Sequence, residues 1–174
     1  MSGWWRRNAV PVVATAVLLP ATFLIIGGTE WNEYFSGRPT QPVTAQPGES
    51  VEVNGVTWGP ASIEQLDPPA DAELPADAVV YRVTIEVRPA EEAVTCLPPS
   101  LHELEGAQRE WGSGSYEVDW ASGAESWDSC PIDATEPFTI VVPYLVPADA
   151  AGPFAVDIEG ADLIPAFPRL IVEP

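Results

Sequence analysis

The sequence contains no lysine, and this is its clearest absence. Lysine and arginine together number 7 against 26 acidic residues, so the formal net charge is −19. Polyanions repel such a chain, which excludes nucleic acid as a partner. The lack of lysine, together with abundant alanine and proline, indicates a bacterial gene of high GC content.

Histidine and methionine are nearly absent, with one residue of each type. The single histidine, His102, lies in the stretch LHELE, and no serine stands in a Gly-x-Ser-x-Gly context. Carboxylate pairs such as Glu91 and Glu92 arise by chance among so many acids. We therefore predict no catalytic residues, no metal ligands, no cofactor and no enzymatic activity. Binding of calcium by the acidic loops remains an alternative, although no Asp-x-Asp-x-Asp-Gly loop is present.

Cysteine is also scarce, and Cys96 and Cys130 are the only two. In an exported domain the oxidising compartment favours pairing. A metal site or a redox thiol pair is typically marked by Cys-x-x-Cys spacing or clustered histidines, and the sequence has neither. We predict a disulfide.

Charge is missing altogether from residues 9–28, AVPVVATAVLLPATFLIIGG. Roughly twenty apolar helical residues cover the ~30 Å hydrocarbon core of a bilayer. Arg6 and Arg7 precede the run, and Trp31 follows it among acidic residues. Because basic flanks stay in the cytoplasm, we expect residues 1–8 to be a cytoplasmic tail and everything after residue 28 to be extracytoplasmic.

The alternative to an anchor is a cleaved signal peptide, which shares the basic start and the apolar run. Its apolar core is usually about 7 to 15 residues long and ends in small residues. Here the candidate cleavage site at Gly27 and Gly28 follows two isoleucines, which is a poor match to the small residues that cleavage requires. A single-pass transmembrane helix is the prediction that we retain.

The rest of the chain is predicted to be a linker and one domain. Residues 29–48 include GRPTQPVTAQPG and are typical of an extended spacer. Residues 49–174 have the length of a single domain. They carry short runs of period-two alternation separated by turn signals, and no amphipathic helical window.

Several strands can be placed in this domain. Asn54-Gly55 between alternating runs predicts a hairpin turn, and residues 79–88 alternate clearly over one long strand. Residues 116–120 show the same alternation, and residues 138–146 are apolar on both faces, which favours a central strand. Further strands are expected at 154–158 and 170–172. The fold class is therefore all-β, a single antiparallel sandwich.

Four of the seven tryptophans lie in this domain. Trp111 and Trp127 stand near turns with glycine and serine neighbours, whereas Trp120 continues an alternating run. We predict Trp111 and Trp127 as candidate binding aromatics, and Trp120 as a core residue.

Three stretches also carry a family resemblance: GESVEVNGVTW, AVVYRVTIEV and LHELEGAQREW. The chain resembles a bacterial family of exported immunoglobulin-like domains of unknown function, an architecture shared by mycobacterial secreted immunogenic antigens. The resemblance spans about residues 49–158 and implies an immunoglobulin-like fold and a place outside the cytoplasm. It implies no catalytic residues. The acidic loop at 67–77 and the cysteine pair depart from the family pattern.

These observations together predict a non-catalytic binding domain of the bacterial cell envelope, anchored by residues 9–28. Its partner is expected to be a protein or another envelope component. An envelope hydrolase or a calcium-binding module behind a cleaved signal peptide is the alternative.

Overall fold

The computed structural model describes residues 2–90, 92–122 and 126–174. Glu91 of the predicted acidic pair and the side chain of the predicted flank Arg6 lie outside what is described. The chain divides into two compact units, Met1–Arg38 and Pro39–Pro174. Each is described by itself.

The first unit is one helix, α1, Ser2–Ser36. Its segment Arg7–Ser36 spans 30 residues and contains an 18-residue window with a mean hydropathy of 2.4, so it is long and apolar enough to cross a membrane, as signal sequences also are. The apolar run 9–28 lies inside α1. Residues 29–36 were predicted to be extended spacer but are helical, because no helix-breaking residue occurs there before Gly37 and Pro39.

The second unit contains nine strands and one short 3₁₀ helix among its described residues. The strands are β1 (Gln41–Ala45), β2 (Val51–Val53), β3 (Val56–Leu66), β4 (Ala78–Arg88), β5 (Ser100–Glu103), β6 (Glu110–Trp111), β7 (Phe138–Pro147), β8 (Phe154–Asp157) and β9 (Ala166–Val172), and the 3₁₀ helix is Asp119–Ala121.

The strands form two sheets. The first has the order β1-β9-β8-β5-β6 and the second the order β2-β3-β4-β7. All pairs are antiparallel except β1 with β9, which run parallel, and a parallel bridge joins Trp127 to Ile140 beside β7. The predicted all-β unit is confirmed, whereas its purely antiparallel arrangement is wrong.

Strand β1 accounts for the main difference, because it lies in the predicted spacer 29–48. It pairs Gln41 with Ala166 through to Ala45 with Leu170. Ala45 is buried and Val43 packs against the core. Two apolar residues among prolines give too weak an alternation to indicate a strand in the sequence.

The predicted hairpin and the long strand are confirmed. Asn54 and Gly55 have φ values of 51° and 80°. This left-handed pair lets β2 and β3 meet with Val53 opposite Val56. In β4 the alternating residues Val83, Ile85 and Val87 are fully buried, as the pattern predicts.

Both sheets contribute side chains to one hydrophobic core. From the second sheet come Trp58 and Tyr144, and from the first come Leu101, Phe154 and Leu170. The Tyr81 and Phe154 rings lie 5.6 Å apart between the two sheets. One shared core therefore joins the two layers.

Strand β7 is apolar on both faces but ends the second sheet rather than occupying its centre. Its outer face is covered at one end, because Val118 and Ala121 pack with Val80 of β4 in a second buried cluster that Leu145 of β7 joins. The alternation at residues 116–120 predicted a strand, and this prediction is wrong. Trp120 lies at the edge of this second cluster, not in the shared core.

Candidate functional site

A polar cluster on the first sheet surrounds the single histidine. In β5 the Leu101 side chain enters the core, so the alternation of a strand places Ser100 and His102 on the opposite face. The Ser100 hydroxyl lies 2.9 Å from His102 Nε2. Asp157 Oδ2 of neighbouring β8 lies 3.4 Å from that same nitrogen.

This cluster holds the residue types of a Ser-His-Asp system without its geometry. Such a system needs the serine on one imidazole nitrogen and the carboxylate on the other. Here both groups approach Nε2, and Asp157 is instead engaged by Arg169, whose Nε and Nη2 donate at 2.7 and 2.6 Å. The three side chains therefore do not form the relay in which a carboxylate orients the histidine through its second nitrogen.

The surroundings of His102 are acidic. Glu110 Oε1 lies 3.9 Å from Nε2. The pKa of Glu159 is raised, first by partial burial and then by the negative charges of Asp157 and Glu110, while His102 opposes the rise. The cluster is a concentration of like charge that Arg169 partly neutralises.

A second ion pair fastens the turn between β5 and β6. Glu103 is 4% exposed and accepts from Arg109 Nε at 3.0 Å and Nη2 at 2.9 Å. Arg109 Nη1 also donates to Asp149 at 2.8 Å. The Arg109 side-chain hydrogen bonds hold the pKa of Glu103 down at about 2, against a cost of burial that opposes them. This pair is structural, because its carboxylate is fully engaged by the chain itself.

The described residues contain no candidate metal site. No group of three or more histidine, cysteine or acidic side chains there is arranged to hold an ion.

The predicted cysteine pair is confirmed, with an S–S distance of 2.11 Å and a Cα–Cα distance of 5.0 Å. It joins the segment between β4 and β5 to the segment between β6 and β7. Both cysteines pack against the core. The disulfide therefore fixes two loops on one part of the unit.

Three exposed apolar side chains lie on these two loops, each within three residues of a bridged cysteine. Leu97 is 60% exposed, Trp127 54% and Ile132 93%. We call Leu97, Trp127 and Ile132 the loop patch.

Hydrogen bonds hold the backbone of the loop patch in place at Leu97 and Trp127. Leu97 N–H donates to the Glu159 carbonyl at 2.8 Å. The Tyr144 hydroxyl, whose pKa burial raises, donates to the Pro99 carbonyl at 2.8 Å. On the other loop, the Trp127 carbonyl accepts from Val141 N–H at 2.7 Å. Leu97 and Trp127 are thus presented on a fixed backbone.

The two candidate binding tryptophans differ in their surroundings. Trp127 belongs to the loop patch, whereas Trp111 packs against the core with its ring 6.2 Å from Phe154. The Arg109 guanidinium lies 5.5 Å from the Trp111 ring. Trp111 thus contributes to packing. Sequence reasoning missed Leu97 and Ile132, because nothing in the sequence around them distinguishes an exposed aliphatic residue from a core residue.

Comparisons of the chain with protein-family models, curated proteins and solved structures found no match.

Proposed function

We propose that this protein is a membrane-anchored, non-catalytic binding domain of the bacterial cell envelope, which captures a protein partner through the loop patch. Helix α1 acts as an uncleaved single-pass anchor with its N-terminus in the cytoplasm. The second unit is an immunoglobulin-like sandwich on the outer side.

The observation that carries this proposal is the exposure of three large apolar side chains on loops fixed by a disulfide. Aromatic and aliphatic side chains on a rigid support are typical of the centre of a protein interface. A backbone held in place before binding lowers the entropy cost of association. The loop patch combines both properties.

The charge of the chain favours a protein over other envelope components. Beyond the apolar run there are five arginines and 26 carboxylates, a formal charge of −21. Anionic envelope polymers and anionic lipid surfaces are repelled by such a domain. Asp128 and Asp133 directly follow Trp127 and Ile132 in sequence, so the partner surface is expected to be apolar at its centre and basic at its rim.

The membrane anchor is supported by the length of α1 and by its flanks. Arg7 precedes the apolar run and Trp31, 68% exposed, follows it. The immunoglobulin-like assignment is supported by two sheets around one core and by the strand pattern of the resembling family. The geometry around His102 gives the hydrolase alternative no comparable support.

The proposal is tested by photo-crosslinking in intact cells with the full-length chain. A photoreactive phenylalanine analogue replaces Trp127, and in the matched control it replaces Tyr116, which is 97% exposed outside the patch. We expect one discrete protein adduct from position 127 and none from position 116. Adducts of equal yield at both positions, or none at either, would overturn the proposal.

A second variant tests the contribution of Ile132, a patch residue that is not aromatic. Ile132→Asp should reduce the adduct at position 127 by about tenfold or more, because it places a charge in an apolar contact. The matched change is Tyr116→Asp, which should leave the yield unchanged. Both variants should keep the unfolding midpoint of the parent chain.

A further inference from the structure

The last turns of α1 carry an aromatic face that the apolar run does not explain. Trp31, Tyr34 and Phe35 have the i, i+3, i+4 spacing of neighbours on one helix face. Their rings meet, with centroids 4.5 Å apart for Trp31 and Phe35 and 5.1 Å apart for Tyr34 and Phe35. With Arg38 these residues form what we call the juxtamembrane face.

Arg38 places a positive charge on this face. Its guanidinium carbon lies 3.9 Å from the centroid of the Tyr34 ring. Stacking uses the flat side of a guanidinium, while its N–H donors point outward in the plane and suit phosphate oxygens. The contact with Tyr34 therefore orients a phosphate-binding group beside the aromatic rings.

The carboxylates of the same turns, Glu30 and Glu33, line the same shallow hollow as the three rings. At about 100° per residue, Glu33 is roughly 150° away from the middle of the aromatic arc and Glu30 about 90° away. Glu30 therefore borders the face beside Tyr34, while Arg38 supplies its positive charge.

The inner end of the face lies at the height of the lipid headgroups. If residues 9–28 fill the hydrocarbon core, Trp31 and Phe35 lie about 5 to 10 Å beyond its edge at 1.5 Å per residue. The headgroup layer extends about 5 to 7 Å beyond the core, so Trp31 lies within it and Phe35 at its outer border, and tryptophan and tyrosine are enriched in this layer. The face follows the most apolar 18-residue window of α1, of which 0% is buried.

We propose that the juxtamembrane face binds the phosphate-bearing headgroup layer of the outer leaflet. The three rings lie at the interface and Arg38 donates to a lipid phosphate. Zwitterionic phospholipid is sufficient, because the ligand is the phosphate and not a net negative surface. This inference depends on the proposed function in one respect, namely that α1 spans the membrane.

The test is amide hydrogen exchange of the full-length chain in phosphatidylcholine nanodiscs holding one chain each. Residues 29–36 should exchange slowly, because docking suppresses the fraying of a helix end. In the variant Trp31→Ser/Tyr34→Ser/Phe35→Ser these amides should exchange about tenfold faster or more. The matched control Glu30→Ser/Asn32→Ser/Glu33→Ser should exchange like the parent.

A second arm identifies the phosphate. In maltoside micelles, which carry no phosphate, the parent chain should lose protection at residues 33–36. Arg38→Gln should show the same loss in nanodiscs, while Arg38→Lys retains part of the protection.

Three results would overturn the inference: equal protection in both triple variants, protection that does not depend on phosphate, or protection that appears only in discs holding two chains. The last result would assign the face to a second copy of the protein. Amides 9–28 report separately on the anchor. If they exchange freely in nanodiscs, the proposed membrane span fails and not merely the headgroup contact.

Discussion

At the scale of single residues, the Glu103 carboxylate makes stability depend on pH. Its pKa is about 2 in the folded chain against an ordinary value of 4.5. At a pH between these values the Glu103 carboxyl is protonated in the unfolded chain and ionised in the folded one. Its contribution to the free energy of unfolding is therefore complete above pH 4.5 and is lost as the pH falls towards 2.

We therefore expect the urea midpoint of the parent to fall between pH 6 and pH 3 by more than that of Glu103→Gln, since the variant cannot titrate at this position. The full-length chain in micelles is followed by tryptophan fluorescence. Glu86→Gln is the control, because its partner Arg88 lies at 3.3 Å and both side chains are more than half exposed. A pH slope in Glu103→Gln equal to that of the parent would contradict the assignment.

Two leucines, Leu97 and Leu101, allow the effect of a core side chain on stability to be distinguished from that of an exposed one. Leu101 is 0% exposed and Leu97 is 60% exposed. Leu101→Ala should lower the free energy of unfolding by about 2 to 5 kcal/mol, because it leaves a cavity in the core. Leu97→Ala should change it by less than about 0.5 kcal/mol. Urea unfolding of both variants measures the difference, and similar losses would mean that Leu97 is buried.

At the scale of secondary-structure elements, local patterns were predictable wherever one face of an element meets the core and the other meets solvent. Strand β4 is the clearest example, and Asn54-Gly55 marks its own turn because both residues take positive φ. Strand β1 and the place of β7 at the end of its sheet were not predictable. Each depends on a distant segment, β9 for the first and Val118 with Ala121 for the second. A window of sequence cannot show which remote segment will cover a face.

The disulfide is the element that fixes the loop patch, and its removal should show in two measurements. Cys96 and Cys130 are separated by 34 residues. In the chain-entropy model such a bridge contributes about 3 to 4 kcal/mol. The double variant Cys96→Ala/Cys130→Ala should lose roughly this amount in urea unfolding, and its crosslink yield at position 127 should fall under conditions where it remains folded. A stable variant with an unchanged yield would show that the bridge does not position the patch.

At the scale of the whole molecule, the site was less predictable than the fold. Trp127 stood out in the sequence as an aromatic residue in a polar loop. Leu97 and Ile132 did not, because nothing local distinguishes an exposed leucine or isoleucine from a core residue. Pairing of Cys96 with Cys130 was expected, but the tertiary structure was needed to show that both of the loops it joins carry exposed apolar residues.

The distribution of charge along the whole chain yields the last prediction. All 26 acidic residues follow the apolar run, while Arg6 and Arg7 precede it. Basic residues resist translocation, so the acidic unit should be exported with the arginines retained inside. In a bacterial host, external protease should digest the second unit of intact cells and leave a membrane-embedded fragment that still starts at the original N-terminus. Arg6→Glu/Arg7→Glu should reduce the digested fraction, with Arg82→Glu/Arg88→Glu as the control of equal charge change. A mature chain that begins after Gly28 would instead identify residues 1–28 as a cleaved signal peptide, and the protein would then reach its partner unanchored.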